Sequence, residues 1–291
     1  MVPMSGAGSS ARGPAPAVVA HRGASAELAE HTLRAYEQAL ADGADALECD
    51  VRLTRDGHLV CVHDRRVDRT STGHGVVSAM TLEGMAALDY GSWHDPWPES
   101  ADALLEENDR APVPPRPTEA GPAALLTLAD LLALVADSPA TLFVETKHPV
   151  RYGGLVESKL VAELHRFGLA DPPEPAAARA VVMSFSASAV WRVRRTAPAV
   201  PSVLLGRSAA VLSPVAVGAV GAALVGPSVG VLRERPELVE RFREQGVGTY
   251  CWTVDGRADV ELCRGLGVDW VATNHPRTVR GWLAGDHGGA G

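Results

Sequence analysis

No run of ~18 apolar residues occurs in the 291-residue chain, which excludes a helical membrane span. The opening residues, MVPMSGAGSSARGPAPA, are small and rich in Pro and Gly. They lack the apolar core of a secretion signal and read as a disordered leader, 1–16. Basic excess is also missing. The formal charge of −8 argues against a nucleic-acid partner held by phosphate neutralisation, although a few local cations suffice for a small anion. The four cysteines, Cys49, Cys61, Cys251 and Cys263, contain no CxxC pair. They read as buried free thiols of a reducing, cytoplasmic environment rather than a zinc site or disulfides. No GxGxxG follows the first strand and no GxSxG elbow surrounds Ser184, which removes the two commonest signals of a dinucleotide fold and a serine hydrolase.

What is present is alternation. Short β-branched runs (AVVAH at 17–21, ALECDV at 46–51, TLFVETK at 141–147, AVVMSF at 180–185, SVLLG at 202–206, AALVGP at 222–227, VGTYCWTV at 247–254, VDWVAT at 268–273) take turns with helical patterns. Thr32 and Thr127 stand where helix N-caps belong, and Gly43 where a helix stops. With 46% apolar residues the chain can bury a sizeable core. Strand-then-helix repetition predicts parallel strands joined by crossover helices. The expected fold is α/β: a TIM (β/α)8 barrel, a single domain over 17–283, with a flexible tail at 284–291. A doubly wound open sheet is the alternative. Adding LVCVHD at 59–64 gives nine strand candidates for eight barrel places, so one is accessory. An excursion after the third strand, about 74–122, is rich in Pro and acidic residues. Its Trp93, His94 and Trp97 could cover a site or pack on the rim.

The segment ALECDVRLTRDGHLVCVHD carries the chemistry. Asp56-Gly57 predicts a two-residue hairpin turn pairing Arg55 with His58. That register sets Asp50 opposite His63, with Glu48, Asp50, Cys61 and His63 on one face. Charges alternating along one strand usually face water. Here, however, three strand ends each supply two polar residues: His21 and Arg22, Glu48 and Asp50, Glu145 and Lys147. In a parallel barrel such ends collect at one rim. Carboxylates without a Cys ligand suit a hard divalent cation, Mg²⁺ or Ca²⁺. Arg22 and Lys147 supply positive charge for an anion. His21 and His63 suit general acid and base roles. Together these groups read as phosphoester cleavage. His148 reads as a loop residue, Arg192, Arg194 and Arg195 as an outer solvated face, and Asn274 and His275 as structural.

These stretches form an ordered set: HRG (21–23), EHT (30–32), ECD (48–50), TRDG (54–57), VHD (62–64) and ETK (145–147). RTSTGHG (69–75), SF (184–185), WTVD (252–255) and VATNHP (271–276) extend it. The set resembles the glycerophosphodiester phosphodiesterase family over nearly the whole chain. The resemblance implies a TIM barrel that uses a divalent metal to hydrolyse glycerophosphodiesters to sn-glycerol 3-phosphate and an alcohol. It implies metal ligation by Glu48, Asp50 and Glu145, acid/base roles for His21 and His63, and phosphate contacts from Arg22 and Lys147. It also implies that Trp252 lines the substrate pocket and that Glu30 joins the metal shell or orients water. His31 stands where the family usually has Asn; an Asn amide can orient a ligand by hydrogen bonds, and a His can do likewise, titrate or bind metal. A lysophospholipase D-like activity and a non-catalytic anion-binding barrel are the alternatives. The native metal, the leaving alcohol, the order of the two histidines and the oligomeric state stay open at this point.

Overall fold

The computed structural model describes residues 15–92, 122–150, 152–174 and 177–285. The expected leader and tail, and Trp93, His94 and Trp97 of the excursion, lie outside the described residues, apart from 15–16 and 284–285. Nine strands appear: β1 Ala17–His21, β2 Ala46–Leu53, β3 Leu59–Cys61, β4 Thr141–Thr146, β5 Ala180–Ser184, β6 Ser202–Gly206, β7 Leu224–Pro227, β8 Gly248–Cys251 and β9 Trp270–Thr273. Eight of them pair in parallel in the order β1, β2, β4, β5, β6, β7, β8, β9. The β1–β2 and β1–β9 pairings close the barrel. The accessory ninth candidate is β3, which pairs antiparallel with the end of β2. The helices form where the caps predict. Thr32 accepts from Ala35 N–H before helix Leu33–Ala41, and Thr127 with Asp130 makes a capping box before helix Leu128–Ala136. Among the described residues no helix is long and apolar enough to cross a membrane.

Strand alternation sorts the side chains into two layers. Ala20, Leu47, Cys49, Val51, Leu142 and Val144 point outward, against Tyr36, Leu131 and Leu132 of the covering helices. Val19, Ala46, Phe143, Val181, Val203, Tyr250 and Ala272 fill the barrel interior. Phe143 packs at 5.0 Å on Tyr250 and edge-on at 5.1 Å to Trp270. Two residues further along each strand the inward positions change character. His21, Glu48, Glu145 and Lys147 stand on one half of the mouth; Met183, Phe185, Leu205, Arg207 and Trp252 stand on the other. The alternation that builds the core therefore also delivers the polar groups to the C-terminal mouth.

The hairpin differs from the two-residue expectation. Thr54 N–H donates to His58 O at 2.9 Å, so the loop is Arg55, Asp56 and Gly57. Of these three only Gly57 has positive φ, +86°, whereas a type I′ turn needs two such residues. Cys61 therefore pairs with Val51, and Val62 N–H donates to Asp50 O at 3.0 Å. Asp50 lies opposite Val62, not His63, and Cys61 packs outward with Cys49 rather than sharing the face of Glu48. All four cysteines are free and buried.

The hairpin also positions His63. Val51 pairs with Thr146 on one edge and Cys61 on the other, while β1 occupies that second edge lower down, up to His21 opposite Glu48. The chain leaving β3 thus descends toward the end of β1, and Arg52 Nε holds His63 O at 2.8 Å.

Candidate active site

Glu48 and Asp50 come from β2 and Glu145 from the neighbouring strand, opposite Asp50 in register. One carboxylate oxygen of each lies within 4.8 Å of the others, and all three residues are buried. Burial, then repulsion from Asp50, pushes the Glu48 carboxyl well above the usual range. Burial likewise raises Glu145, partly offset by Lys147. Burial also works against Asp50, but Lys147 and Arg22 outweigh it and hold its carboxyl well below the usual range. Glu48 Oε1 has no hydrogen-bond partner among the described residues. A buried orphan oxygen within an all-carboxylate cluster fits a hard divalent cation: the donor set is oxygen only and carries the excess negative charge.

Two cations face the cluster. Arg22 adopts a left-handed φ of +62°, an unfavourable backbone state for a non-glycine residue that functional sites often retain. That turn aims its backbone N–H at Glu48 Oε2, 3.0 Å away. Arg22 Nε lies 3.1 Å from Asp50 Oδ2, a charge pair without hydrogen-bond alignment. Lys147 Nζ lies 3.0 Å from Glu145 Oε1 and 3.3 Å from Asp50 Oδ1.

Both candidate acid/base rings are anchored through Nδ1. His21 Nδ1 is 2.8 Å from Asn274 Oδ1. Asn274 Nδ2 donates to Asp255 Oδ2 at 2.7 Å, which identifies Oδ1 as the acceptor and His21 Nδ1 as the donor. Asn274, expected to be structural, therefore orients His21. His63 Nδ1 is 2.7 Å from Asp64 Oδ1. Burial disfavours the Asp64 carboxylate, but Arg69 and His63 outweigh it and keep Asp64 ionised, so His63 donates from Nδ1 as well. Nε2 is then the second nitrogen of each ring, and His21 Nε2 lies 4.0 Å from Glu48 Oε2.

Glu30 stands outside the acidic triad. Arg69 grips both its oxygens at 2.7 Å, and Arg22 Nη1 lies 3.3 Å from Oε1. Burial disfavours its charge, but Arg69 and Arg22 hold the carboxyl well below the usual range. His31 does orient a triad member: its Nε2 lies 3.0 Å from Asp50 Oδ2 and its Nδ1 2.8 Å from Tyr36 Oη. Its φ of +58° is a state that Asn and His tolerate better than most residues, a physical reason for either residue at this position.

The far wall is apolar and aromatic. Phe185 and Trp252 meet edge-to-face at 5.2 Å, and Trp252 Nε1 donates to Gly226 O at 2.8 Å. The Arg207 guanidinium stacks 4.4 Å from the Phe185 ring centre and 5.4 Å from that of Trp252. Tyr250 lines the same cleft. Sequence reasoning found Trp252 but missed Phe185 and Arg207. Each lies two residues beyond an inward-facing apolar residue, Met183 and Leu205, and that parity was the available signal.

A closed α/β barrel whose mouth joins a carboxylate triad, an Arg, a Lys and two anchored imidazoles belongs to the class of barrel enzymes that act on anionic substrates. Residues 21–278 match the model of the glycerophosphoryl diester phosphodiesterase family, and the chain belongs to that family. It is 56% identical over 271 residues to a probable glycerophosphodiester phosphodiesterase 1 of Mycobacterium tuberculosis, covering 92% of each chain. It is 33% identical over 266 residues to a glycerophosphodiester phosphodiesterase of Bacillus subtilis, covering 89% of this chain and 83% of that one. Among solved structures, a phosphodiesterase of Oleispira antarctica in complex with the product sn-glycerol-3-phosphate shares the fold. Its TM-score is 0.73 at 19% identity, with 93% of this chain and 97% of that one covered.

Proposed function

We propose that the protein hydrolyses glycerophosphodiesters to sn-glycerol 3-phosphate and an alcohol, dependent on a divalent cation, Mg²⁺ or Ca²⁺, held by Glu48, Asp50 and Glu145. What supports the reading is the convergence of that triad with Arg22, Lys147, His21 and His63 at one barrel mouth. The family membership and the relatives' names support the substrate class. When bound, the cation would supply positive charge to the phosphoryl oxygens.

Arg22 and Lys147 add positive charge to the same group, with Arg22 presenting the planar guanidinium that suits phosphate. Nε2 of one histidine takes a proton from the attacking water as its oxygen bonds phosphorus. Nε2 of the other gives a proton to the alcohol oxygen as the bond from phosphorus to that oxygen breaks. The Nδ1 anchors to Asn274 and Asp64 direct Nε2 of each ring to the reaction, bare on the ring that acts as base and protonated, as the imidazolium, on the ring that acts as acid. Trp252 and Phe185 wall the substrate and exclude water from that side of the cleft.

Release of glycerol 3-phosphate from glycerophosphocholine, measured with EDTA and after adding back Ca²⁺, Mg²⁺ or Mn²⁺, tests the reading. Turnover is expected only with metal. His21→Ala and His63→Ala should each lose about 10²- to 10⁴-fold in kcat while still binding metal. Full rates in EDTA, or in both histidine variants, would sink the mechanism.

A further inference from the structure

Arg69 has no part in the chemistry above, yet it sits at the centre of the charged network around it. It is buried, on the loop that follows β3. Its Nε donates to Asp64 Oδ2 at 2.8 Å. Its Nη1 and Nη2 donate to Glu30 Oε2 and Oε1, both at 2.7 Å. The second oxygen of Asp64 holds His63 Nδ1, and Glu30 Oε1 reaches Arg22 Nη1. One guanidinium therefore connects an imidazole on one side to an arginine on the other.

We propose that Arg69 is a positioning residue for the hydrolysis: through Asp64 it fixes the ring of His63, and through Glu30 it fixes the guanidinium of Arg22. The proposal rests on the function proposed above. Its physical basis is competition for charge. Arg22 lies between two carboxylates, Asp50 at 3.1 Å and Glu30 at 3.3 Å. Glu30 bound on both oxygens by Arg69 competes weakly for Arg22, whereas Glu30 deprived of Arg69 would draw Arg22 away from Asp50. On the other side, Asp64 has one oxygen locked, so it can present only the other to His63. A planar fork spans three carboxylate oxygens on two residues at once; a lysine ammonium, a point charge on a flexible stem, has no such fixed geometry. Arg69 lies within RTSTGHG, a stretch that pattern reading left without a role.

The test is steady-state kinetics of glycerol 3-phosphate release at saturating metal, on the full chain. It uses Arg69→Met, Arg69→Lys, Asp64→Asn and the Asp64→Asn/Arg69→Met double variant. Arg69→Met should lose about 10- to 100-fold in kcat and raise KM, and Arg69→Lys should recover little of either. The double variant should be little worse than the poorer single, because both changes cut the same link. An Arg69→Met enzyme with wild-type kcat and KM, or losses that multiply in the double variant, would overturn the proposal. A measurement on the unaltered protein guards against a variant that does not fold: ¹⁵N NMR of the His63 ring should show the proton on Nδ1, and a ring protonated on Nε2 alone would count equally against it. A fully active His63→Ala overturns the underlying function and the proposal with it. An inactive His63→Ala beside a fully active Arg69→Met overturns the proposal alone.

Discussion

Replacing His31 with alanine removes two buried contacts in one step, the imidazole to Asp50 at 3.0 Å and to Tyr36 at 2.8 Å. Asp50 accepts only, so His31 Nε2 carries the proton between them. Leaving a buried acceptor without its donor costs about 1–3 kcal/mol. Cutting the outer hydrogen bond of a metal ligand typically weakens metal binding about 10- to 100-fold. At about 1.4 kcal/mol per tenfold, the two figures are of similar size. Backbone strain barely enters, since alanine at φ +58° is no easier than histidine. His31→Asn should behave differently, because it tolerates that backbone state and keeps an N–H donor on the side chain. Isothermal titration with Mg²⁺ or Ca²⁺ should give the alanine variant a dissociation constant about 10- to 100-fold weaker, with the asparagine variant close to wild type. In EDTA the alanine variant should melt roughly 4–8 °C lower. Wild-type affinity in His31→Ala, or equal weakening in both variants, would refute the reasoning.

Metal removal should destabilise the unaltered protein. With metal at a hundred times its dissociation constant, binding adds about 2.7 kcal/mol to folding, so EDTA should lower Tm and excess Mg²⁺ or Ca²⁺ restore it. An unchanged Tm would remove the cation from these carboxylates. Acid should act through Asp64. Its folded pKa lies below the unfolded value of about 3.9, so the unfolded chain takes the proton first. Its stabilising contribution is complete above roughly pH 5 and fades as pH falls toward the folded pKa. Asp64→Asn should therefore flatten the decline of the urea midpoint between about pH 5 and pH 3, and an unchanged slope would count against the ionised carboxylate.

Strand alternation and helix caps were legible because local sequence controls them. AVVAH, TLFVETK and SVLLG form strands as read, and Thr32 and Thr127 cap as read. The triad was legible for the same reason, since Glu48, Asp50 and Glu145 continue the inward parity of Ala46 and Phe143. The hairpin register was not. Asp56-Gly57 alone cannot distinguish a two-residue from a three-residue loop. Here Asp56 turns its carboxylate to Thr54 Oγ1 at 2.7 Å and Leu82 N–H at 3.0 Å, and leaves positive φ to Gly57. His63 reached the site by a different path from the one expected, the shared edge of β2 rather than a cross-strand pair with Asp50. The roles of Arg69, Asn274 and Arg207 were not legible because their partners are tertiary: Arg69 meets Glu30 across 39 residues and Asn274 meets His21 across 253. No local period marks such pairs.

The barrel mouth is divided between its two halves. The triad, Lys147 and both imidazoles come from β1, β2, β4 and the segment after β3, one continuous hydrogen-bonded ribbon. Phe185, Leu205, Arg207 and Trp252 stand across the opening on β5, β6 and β8 or just past their ends. Under the proposed function, mutation can reshape the aromatic wall while the spacing of the candidate reacting groups stays set by the ladder of the opposite half. Such a layout lets one reaction diversify across many substrates without being reinvented, and directed evolution of new preferences has its natural starting point at Phe185, Leu205 and Arg207.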